Sequence, residues 1–369
     1  MCKMGKNILF IVDHLIGGGA ERMTLELAEN LSATNTVSIA LMNSDSIGMN
    51  LPLNIDIHNL HINNDFMSGG LWKRKNKKLH ESEIQRINKL IQSKNPDLII
   101  LSHWYAMYLE PFLHGNVWIW VHGDIFQPIK KKTTNLFRWY KETRNHYFSM
   151  KNFPKALNGK KLIFVNNDLY KNYKPYLPDS TIKVIYNGIN FEKFKNDFRE
   201  EKIWDCIFLG RLSKEKQPDY AIRAFFDSKL QGRMAIVGDG PMKEELINLA
   251  EELKVIDRID FVGWVNNVQD YICQSKILIL SSKEESFGLV ISEALCLGTP
   301  VVAFNCSDGV SFQLHSERLR RGLVQPQDRV ELAKKLREVY EKPYEIIKDD
   351  LMSLSIKNMK TEFEKLLKL

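Results

Sequence analysis

The sequence predicts an α/β protein of two Rossmann-like domains. Three observations predict it. Short apolar runs with strand character alternate with segments of helical period along most of the chain. The alternation is interrupted by one charged stretch without apolar period, residues 191–202. The length of 369 residues suits two domains at roughly 150 residues each. Strands alternating with helices imply parallel sheets covered on both faces. In such open sheets the ligand lies beyond the C-terminal strand ends, so a deep inter-domain cleft is the expected site.

The first half begins with a strand at Asn7–Val12 and a helix over 20–32, where Ala20, Met23, Leu27, Ala28 and Leu31 form one stripe. A strand over 36–42 follows, then a helix over 81–93 and strands over 97–101, Val117–Val121 and 161–165. Val184 and Ile185 precede a turn at Asn187-Gly188. After the interruption come a strand over 204–209, a helix over Pro218–Asp227, a strand over 233–237 and a helix over 241–253 with proline in its first turn. Strands over 259–262 and 276–280 flank a short helix, Val268–Cys273. The helix Leu289–Cys296, a strand over 299–304 and helices over 330–341 and 352–367 complete the chain. The expected organisation is a first domain over 1–190, a linker over 191–202 and a second domain over 203–345. A terminal helical segment over 346–369 is expected to pack back on the first domain.

Composition excludes several classes. Hydrophobic residues are 44% and charged residues 26%, which is globular rather than disordered or collagenous. The strongly apolar runs fall far short of the ~18 residues of a membrane span. The first apolar run leads straight into Asp13 and His14, which reads as a strand rather than a signal peptide. The five cysteines, Cys2, Cys206, Cys273, Cys296 and Cys306, form no CxxC pair. That pattern suits reduced cytoplasmic thiols and offers neither a disulfide framework nor a zinc site.

Net charge is +7, and it is local. Residues 128–161 hold ten basic side chains (Lys130, Lys131, Lys132, Arg138, Lys141, Arg144, Lys151, Lys155, Lys160 and Lys161) against one acid, Glu142. Phe137, Trp139, Tyr140, Tyr147, Phe148 and Phe153 interleave them, and a second basic run, residues 73–78, follows Trp72. Lysines between aromatics suit an anionic membrane surface. A solvated helix packing its aromatics on its own domain is the alternative. No nucleic-acid motif supports a third reading.

Three motifs carry chemistry. Gly17-Gly18-Gly19-Ala20-Glu21 joins the first strand to the first helix; its glycines allow backbone amides to approach a phosphate. It is not GxGxxG, so the dinucleotide fingerprint fails. Gly210-Arg211-Leu212-Ser213-Lys214-Glu215-Lys216 ends the second domain's first strand, and its two cations, Arg211 and Lys216, could hold a diphosphate. Glu285-Ser286-Phe287-Gly288-Leu289-Val290-Ile291-Ser292-Glu293 places one carboxylate in a loop and another on the following helix. If all helical, that spacing would span about 12 Å. Carboxylates at its two ends could read sugar and ribose hydroxyls, with helix-opening amides between them for phosphate.

With these marks the chain resembles the retaining GT-B glycosyltransferases of family 4, the glycosyl transferases group 1 type. Further matching runs are Tyr186-Asn187-Gly188-Ile189, Val237-Gly238-Asp239-Gly240-Pro241, Phe261-Val262-Gly263-Trp264 and Gly298-Thr299-Pro300-Val301-Val302. The resemblance implies that Arg211 and Lys216 bind the donor diphosphate, Glu293 the ribose and Glu285 the donor sugar. Phe287, Gly288 and Leu289 would offer backbone contacts, Gly18 and Gly19 would border the diphosphate, and the segment around Trp264 would flank the base. His122 matches the family's active-site histidine, with His103 a weaker competitor. The run Asn305-Cys306-Ser307-Asp308-Gly309 departs from the family's glycine pair and glutamate.

The resemblance implies a hexosyltransferase that moves a hexose or N-acetylhexosamine from a nucleotide sugar, UDP-linked by expectation, to a glycan or lipid-linked acceptor. Lipopolysaccharide core, O-antigen or capsule is the expected setting, with no metal, no other cofactor and no nucleic acid. The expected location is cytoplasmic, peripheral on the inner face of the membrane through the region from Lys130 to Lys161. Two alternatives stay open: a non-catalytic, membrane-associated sugar-nucleotide-binding protein, and an NAD-dependent oxidoreductase, which the missing fingerprint disfavours.

Overall fold

The structure, a computed structural model, describes residues 5–43, 47–67, 78–125, 136–194 and 202–369. Contacts divide the chain into two units, Met1–Tyr186 with Ile356–Leu369, and Asn187–Ser355.

The first unit is built on a seven-stranded sheet: β1 (Asn7–Val12), β2 (Thr36–Leu41), β3 (Asp56–Asn59), β4 (Leu98–Ser102), β5 (Val117–Val121), β6 (Lys161–Phe164) and β7 (Thr181–Val184). Their order is β3-β2-β1-β4-β5-β6-β7, with every neighbouring pair parallel. The central strands are buried along their whole length in β4 and β5. A parallel strand covered on both faces requires such continuous apolar runs. The chain moves outward from β1 to β3 and resumes at β4 on the other side of β1, so the order reverses between β1 and β4.

The second unit carries β8 (Cys206–Leu209), β9 (Met234–Val237), β10 (Ile259–Gly263), β11 (Leu278–Leu280), β12 (Val301–Phe304) and β13 (Leu323–Val324). Their order is β10-β9-β8-β11-β12-β13, again parallel throughout. Here the reversal falls between β8 and β11. Helices Pro218–Asp227, Lys243–Glu252, Leu289–Cys296 and Arg329–Glu341 bury one face each in the same core.

The structure departs from the sequence reading where a neighbouring segment overrides local pattern. Residues 241–253 do not begin as a helix. Pro241 and Met242 form a turn because the Met242 amide bonds to the Leu212 carbonyl at 3.0 Å, and the helix starts at Lys243. Residues 352–367 are not one helix. Lys348–Met352 ends in the second unit, and Ile356–Leu366 begins after Leu354 accepts the Ile189 amide at 2.7 Å. The expected linker opens with a single 3-10 turn, Phe191–Lys193, and buries Phe194 in the second core; residues 195–201 lie outside the described residues. The division thus falls at 186/187 and 355/356, rather than at 190 and 345. β3, with sequence DIHN, has too little apolar character to be read as a strand. Helices Asn167–Tyr173 and Asp308–Gln313 are too short to show a period.

The last helix joins the first unit by packing and by polar contacts. Ile356, Met359, Phe363 and Leu366 are buried on one face, and the Phe363 ring meets Trp120 edge-on with centroids 5.0 Å apart. Asn116 donates to the Leu366 carbonyl at 2.7 Å, and Glu364 accepts from Thr34 at 3.1 Å. Phe363 has no exposed surface. Its replacement by alanine is expected to cost about 3–5 kcal/mol, read as a lowered urea midpoint. A loss under about 1 kcal/mol, typical of a surface substitution, would mean the helix is not part of this core.

Candidate functional site

In the second unit, the sequence motifs form the loops beyond the C-terminal ends of the strands. Glycine brings these loops into backbone contact. A Cβ at Gly238 would lie 2.0 Å from the Gly210 carbonyl oxygen, and one at Gly240 would lie 2.5 Å from that of Leu212. Without side chains there, Gly210 N–H bonds to Val237 at 3.0 Å, Leu212 N–H to Asp239 at 2.9 Å and Gly238 N–H to Gly263 at 2.8 Å. The loops after β8, β9 and β10 are thereby fastened side by side. Arg211 sits on their rim, exposed, with no hydrogen bond or ion pair to its guanidinium among the described residues. Trp264, just past Gly263, is 77% exposed.

The reversal between β8 and β11 is bridged from both loops. Lys216 donates from Nζ to the Glu285 carboxylate, which also accepts from Ser282 Oγ at 3.2 Å. Ser281 Oγ donates to the Gln217 carbonyl at 2.7 Å, and the Lys283 amide to Glu215 at 2.9 Å. Gly288 then turns into the helix Leu289–Cys296 at φ +80°, a conformation favouring glycine. A Cβ at Gly288 would press within 3.1 Å of Glu285 Cγ. Phe287 is buried, and its carbonyl accepts from Gln313 Nε2, whose Oε1 accepts from Ser292. Glu293 is only 3% exposed. Leu289 is half-buried at the first turn. A cation, a carboxylate fixed beside it, an unpaired arginine and helix-opening amides make a ready site for a polyanion carrying hydroxyls.

Within residues 305–309, the glycine is the residue that packing requires. Gly309 lies against the backbone of the Glu285 loop. A Cβ there would stand 2.3 Å from the Ser286 carbonyl oxygen and 2.9 Å from Phe287 Cα. Burial first, and then the Glu285 charge, push the nearby Cys306 thiol up to about 12.

In the first unit, the loops after β1 and β4 meet across the other reversal. The buried Asp13 carboxylate accepts from the amides of Tyr105 at 2.9 Å and Ala106 at 2.7 Å. Burial raises its pKa to about 6, against the pull of those amides. Gly18 leaves room for Glu21: a Cβ at Gly18 would lie 2.5 Å from Glu21 Oε2. Gly19, exposed, is the first helical residue. The Glu21 carboxylate lies 3.3 Å from His14 Nδ1 and 3.9 Å from His103 Nε2. Burial works against the Glu21 charge, but His14 and His103 hold its pKa below the usual carboxylate range. The Glu21 hydrogen bond raises His14, whereas burial drives His103 down to about 4. His103 holds φ +82°, a conformation uncommon outside glycine.

His122 stands behind His103. Its Nε2 lies 2.9 Å from Ser102 Oγ, which lies 2.8 Å from Thr24 Oγ1. Its ring packs on Trp120 at 4.2 Å, and burial keeps its pKa well below the usual histidine range. The imidazole is therefore neutral at neutral pH. His103, Trp104, Met107, Trp120 and His122 line a small cavity with Ala20. Sequence reasoning missed the convergence of His14, Glu21 and His103 and expected no metal-ligating cluster. The signal was Asp13-His14 directly after the first strand; His103, from another strand end, is far away along the chain.

The basic region is described in part. Lys130, Lys131 and Lys132, like residues 73–77, lie outside the described residues. From Leu136–Leu157 the chain is one helix. Phe153 and Leu157 are buried, but Tyr140, Tyr147 and Phe148 are 61%, 63% and 45% exposed. Lys141, Arg144, Lys151 and Lys155 are exposed too. At 100° per residue these seven share one stripe about 120° wide. The aromatics therefore divide between core and solvent, rather than all packing inward.

Comparison with known proteins fits this division. The Glycosyltransferase Family 4 domain matches residues 17–193, and the glycosyl transferases group 1 domain matches residues 189–355. The Campylobacter jejuni N-acetylgalactosamine-N,N'-diacetylbacillosaminyl-diphospho-undecaprenol 4-alpha-N-acetylgalactosaminyltransferase is 27% identical over 79% of this chain and 78% of its own. The O-antigen biosynthesis glycosyltransferase WclY of Escherichia coli is 31% identical over 36% of this chain and 40% of its own. The first curated relatives match this chain over only about a third of their own length, 34–36%. Among solved structures, Anabaena HepE in complex with UDP and glucose superposes with a TM-score of 0.69 at 17% identity, covering 98% of this chain and 99% of its own. That likeness shows the fold. The chain, matched by these two domains over 17–355, belongs to the family 4, group 1 type of glycosyltransferases and has the GT-B fold.

Proposed function

We propose that the protein is a retaining glycosyltransferase that moves a hexose or N-acetylhexosamine from a UDP-sugar to a glycan or lipid-linked acceptor of a surface polysaccharide. The observation that carries the reading is the Lys216–Glu285 pair across the β8/β11 reversal, with exposed Arg211 on the same β8 loop as Lys216. Arg211 and Lys216 take the diphosphate, and Glu285 takes donor-sugar hydroxyls. Glu293 takes the ribose, Trp264 flanks the base, and Phe287, Gly288 and Leu289 contribute backbone contacts. By the resemblance, Gly18, Gly19 and a neutral His122 are the first unit's candidate residues for the reaction. The UDP in the Anabaena structure and the diphospho-undecaprenol in the Campylobacter relative's name support the donor and acceptor classes.

In the proposed step, the bond from the anomeric carbon to the diphosphate oxygen breaks. An acceptor hydroxyl oxygen bonds to that carbon on the same face. The hydroxyl proton passes to the leaving diphosphate, giving a glycoside and a nucleoside diphosphate. No protein nucleophile takes part. The chain's contribution is electrostatic: Arg211, Lys216 and helix amides stabilise charge gathering on the leaving group.

Arg211→Ala and Lys216→Ala are each expected to slow transfer more than they weaken donor binding. A lost charge-assisted contact is worth about 2–4 kcal/mol at the barrier, roughly 30- to 1,000-fold in rate. Wild-type turnover in both variants would remove the diphosphate assignment. With these cations in place of a divalent ion, transfer is expected to continue in EDTA. Silence in EDTA, restored by magnesium or manganese, would contradict the proposed electrostatics.

We also place the stripe on Leu136–Leu157 against an anionic leaflet. Among the described residues no helix is long and apolar enough to cross a membrane. Each basic residue at such a surface contributes about 1 kcal/mol, within a Debye length of ~8 Å. Tyr140, Tyr147 and Phe148 would enter the interface. The protein is expected to sediment with vesicles containing anionic lipid and to be released by salt. Exchanging Lys141, Arg144, Lys151 and Lys155 for glutamate should abolish sedimentation while UDP binding survives. Equal binding to neutral and anionic vesicles, or binding to neither, would return the helix to a solvated face.

A further inference from the structure

We infer that His14, Glu21 and His103 form a binding site for one divalent transition-metal ion, zinc by ligand chemistry, on the first unit. The inference rests on this cluster's own geometry and not on the proposed transfer. One ligand atom from each of the three residues lies within 4.8 Å of the others. Zinc holds histidine nitrogen and carboxylate oxygen at about 2.0–2.2 Å, which places adjacent tetrahedral ligands about 3.3 Å apart. His14 Nδ1 already lies 3.3 Å from Glu21 Oε1. His103 Nε2 approaches the other oxygen of the same carboxylate, Glu21 Oε2, at 3.9 Å, so side-chain adjustment within the 4.8 Å group would bring the three ligand atoms to that spacing.

A second observation points to a ligand. The His103 side chain is 7% exposed, and neither ring nitrogen has a hydrogen-bond partner. Buried polar groups are nearly always satisfied. This one lies toward the Glu21 carboxylate, with Nε2 3.9 Å from Oε2. A metal bond gives the buried nitrogen its partner. Gly18 supports the same arrangement, because only a residue without Cβ leaves Glu21 Oε2 where it lies.

Two histidines and one carboxylate are a recurrent zinc set that leaves a fourth position for water. Imidazole with carboxylate also suits cobalt and nickel, and suits calcium and magnesium poorly. The ion would clip the start of the helix Gly19–Ser32 to the loop after β4 and hold the Gly17–Gly19 turn between its ligands. It serves the local structure of this unit. The diphosphate keeps its own cations, Arg211 and Lys216.

The test uses the full chain stripped with chelator, dialysed against zinc chloride and assayed by elemental analysis and by competition with a chromophoric chelator. The expected result is one zinc per chain and a zinc-dependent rise in the melting midpoint. His14→Asn, Glu21→Gln and His103→Asn should each weaken zinc binding at least tenfold, whereas exposed His114→Asn should not. Asparagine tolerates positive φ, so His103→Asn preserves the backbone while removing the ligand. Less than half an equivalent of zinc in the wild-type chain would overturn the inference without any variant. So would undiminished binding in the His14→Asn/His103→Asn double variant. UDP binding, measured on the same preparations, separates the two proposals: loss of one leaves the other standing.

Discussion

The contact on which the second unit depends is the approach of Gly238 to the carbonyl of Gly210, where a methyl group would stand 2.0 Å from oxygen. Parallel strands deliver their C-terminal ends to one edge of the sheet, but they do not fix what the loops beyond that edge do. Backbone bonds from Gly210 to Val237, from Leu212 to Asp239 and from Gly238 to Gly263 do that. They form only if the chains come closer than a side chain permits. Once fastened, the loops hold Arg211 at the rim, and the β8 loop can reach Glu285 through Lys216. The glycines of these motifs are thus explained by loop-to-loop contact before any ligand is considered.

The same logic runs through the Glu285 loop from its other side. Gly309 lets the chain after β12 lie against Ser286 and Phe287, and Gln313 takes up the Phe287 carbonyl. A segment that departs from the family pattern in residue type therefore still positions the loop that carries the carboxylate. In the first unit the corresponding reversal is joined by Asp13, whose carboxylate accepts from two amides of the opposite loop. Each unit therefore braces its reversal point with a carboxylate, by an ion pair in one and by amides in the other.

Much of this was legible in the sequence. Runs such as NILFIV and VWIWV read directly as buried parallel strands, because sheets covered on both faces demand unbroken apolar character. Leu289–Cys296 and Pro218–Asp227 were readable to the residue, since glycine or proline marks their starts. The short edge strand DIHN was not, because its pairing with β2, rather than its own composition, makes it a strand. Pro241 misled for a similar reason: local preference placed it in a helix, and the Leu212 carbonyl drew the next residue into a turn. In the candidate site, Lys216 and Glu285 could be named from motif position, but not their contact, which joins loops 69 residues apart. Of the His14, Glu21 and His103 convergence only Asp13-His14 after the first strand was a signal, because a strand reversal brings in His103 from far along the chain. The stripe on Leu136–Leu157 was visible as composition, whereas which aromatics face outward depended on where Phe153 and Leu157 are buried.

The central claim is that the fastened loops of the second unit are a nucleotide-diphosphate site. Hydrogen–deuterium exchange of the full chain, with and without UDP, tests it most directly. Binding should slow exchange at Arg211 to Lys216 and at Phe287 to Ile291, because the first engages the diphosphate and the second opens a helix toward it. Protection confined to other segments, or exchange unchanged at saturating UDP, would contradict the account.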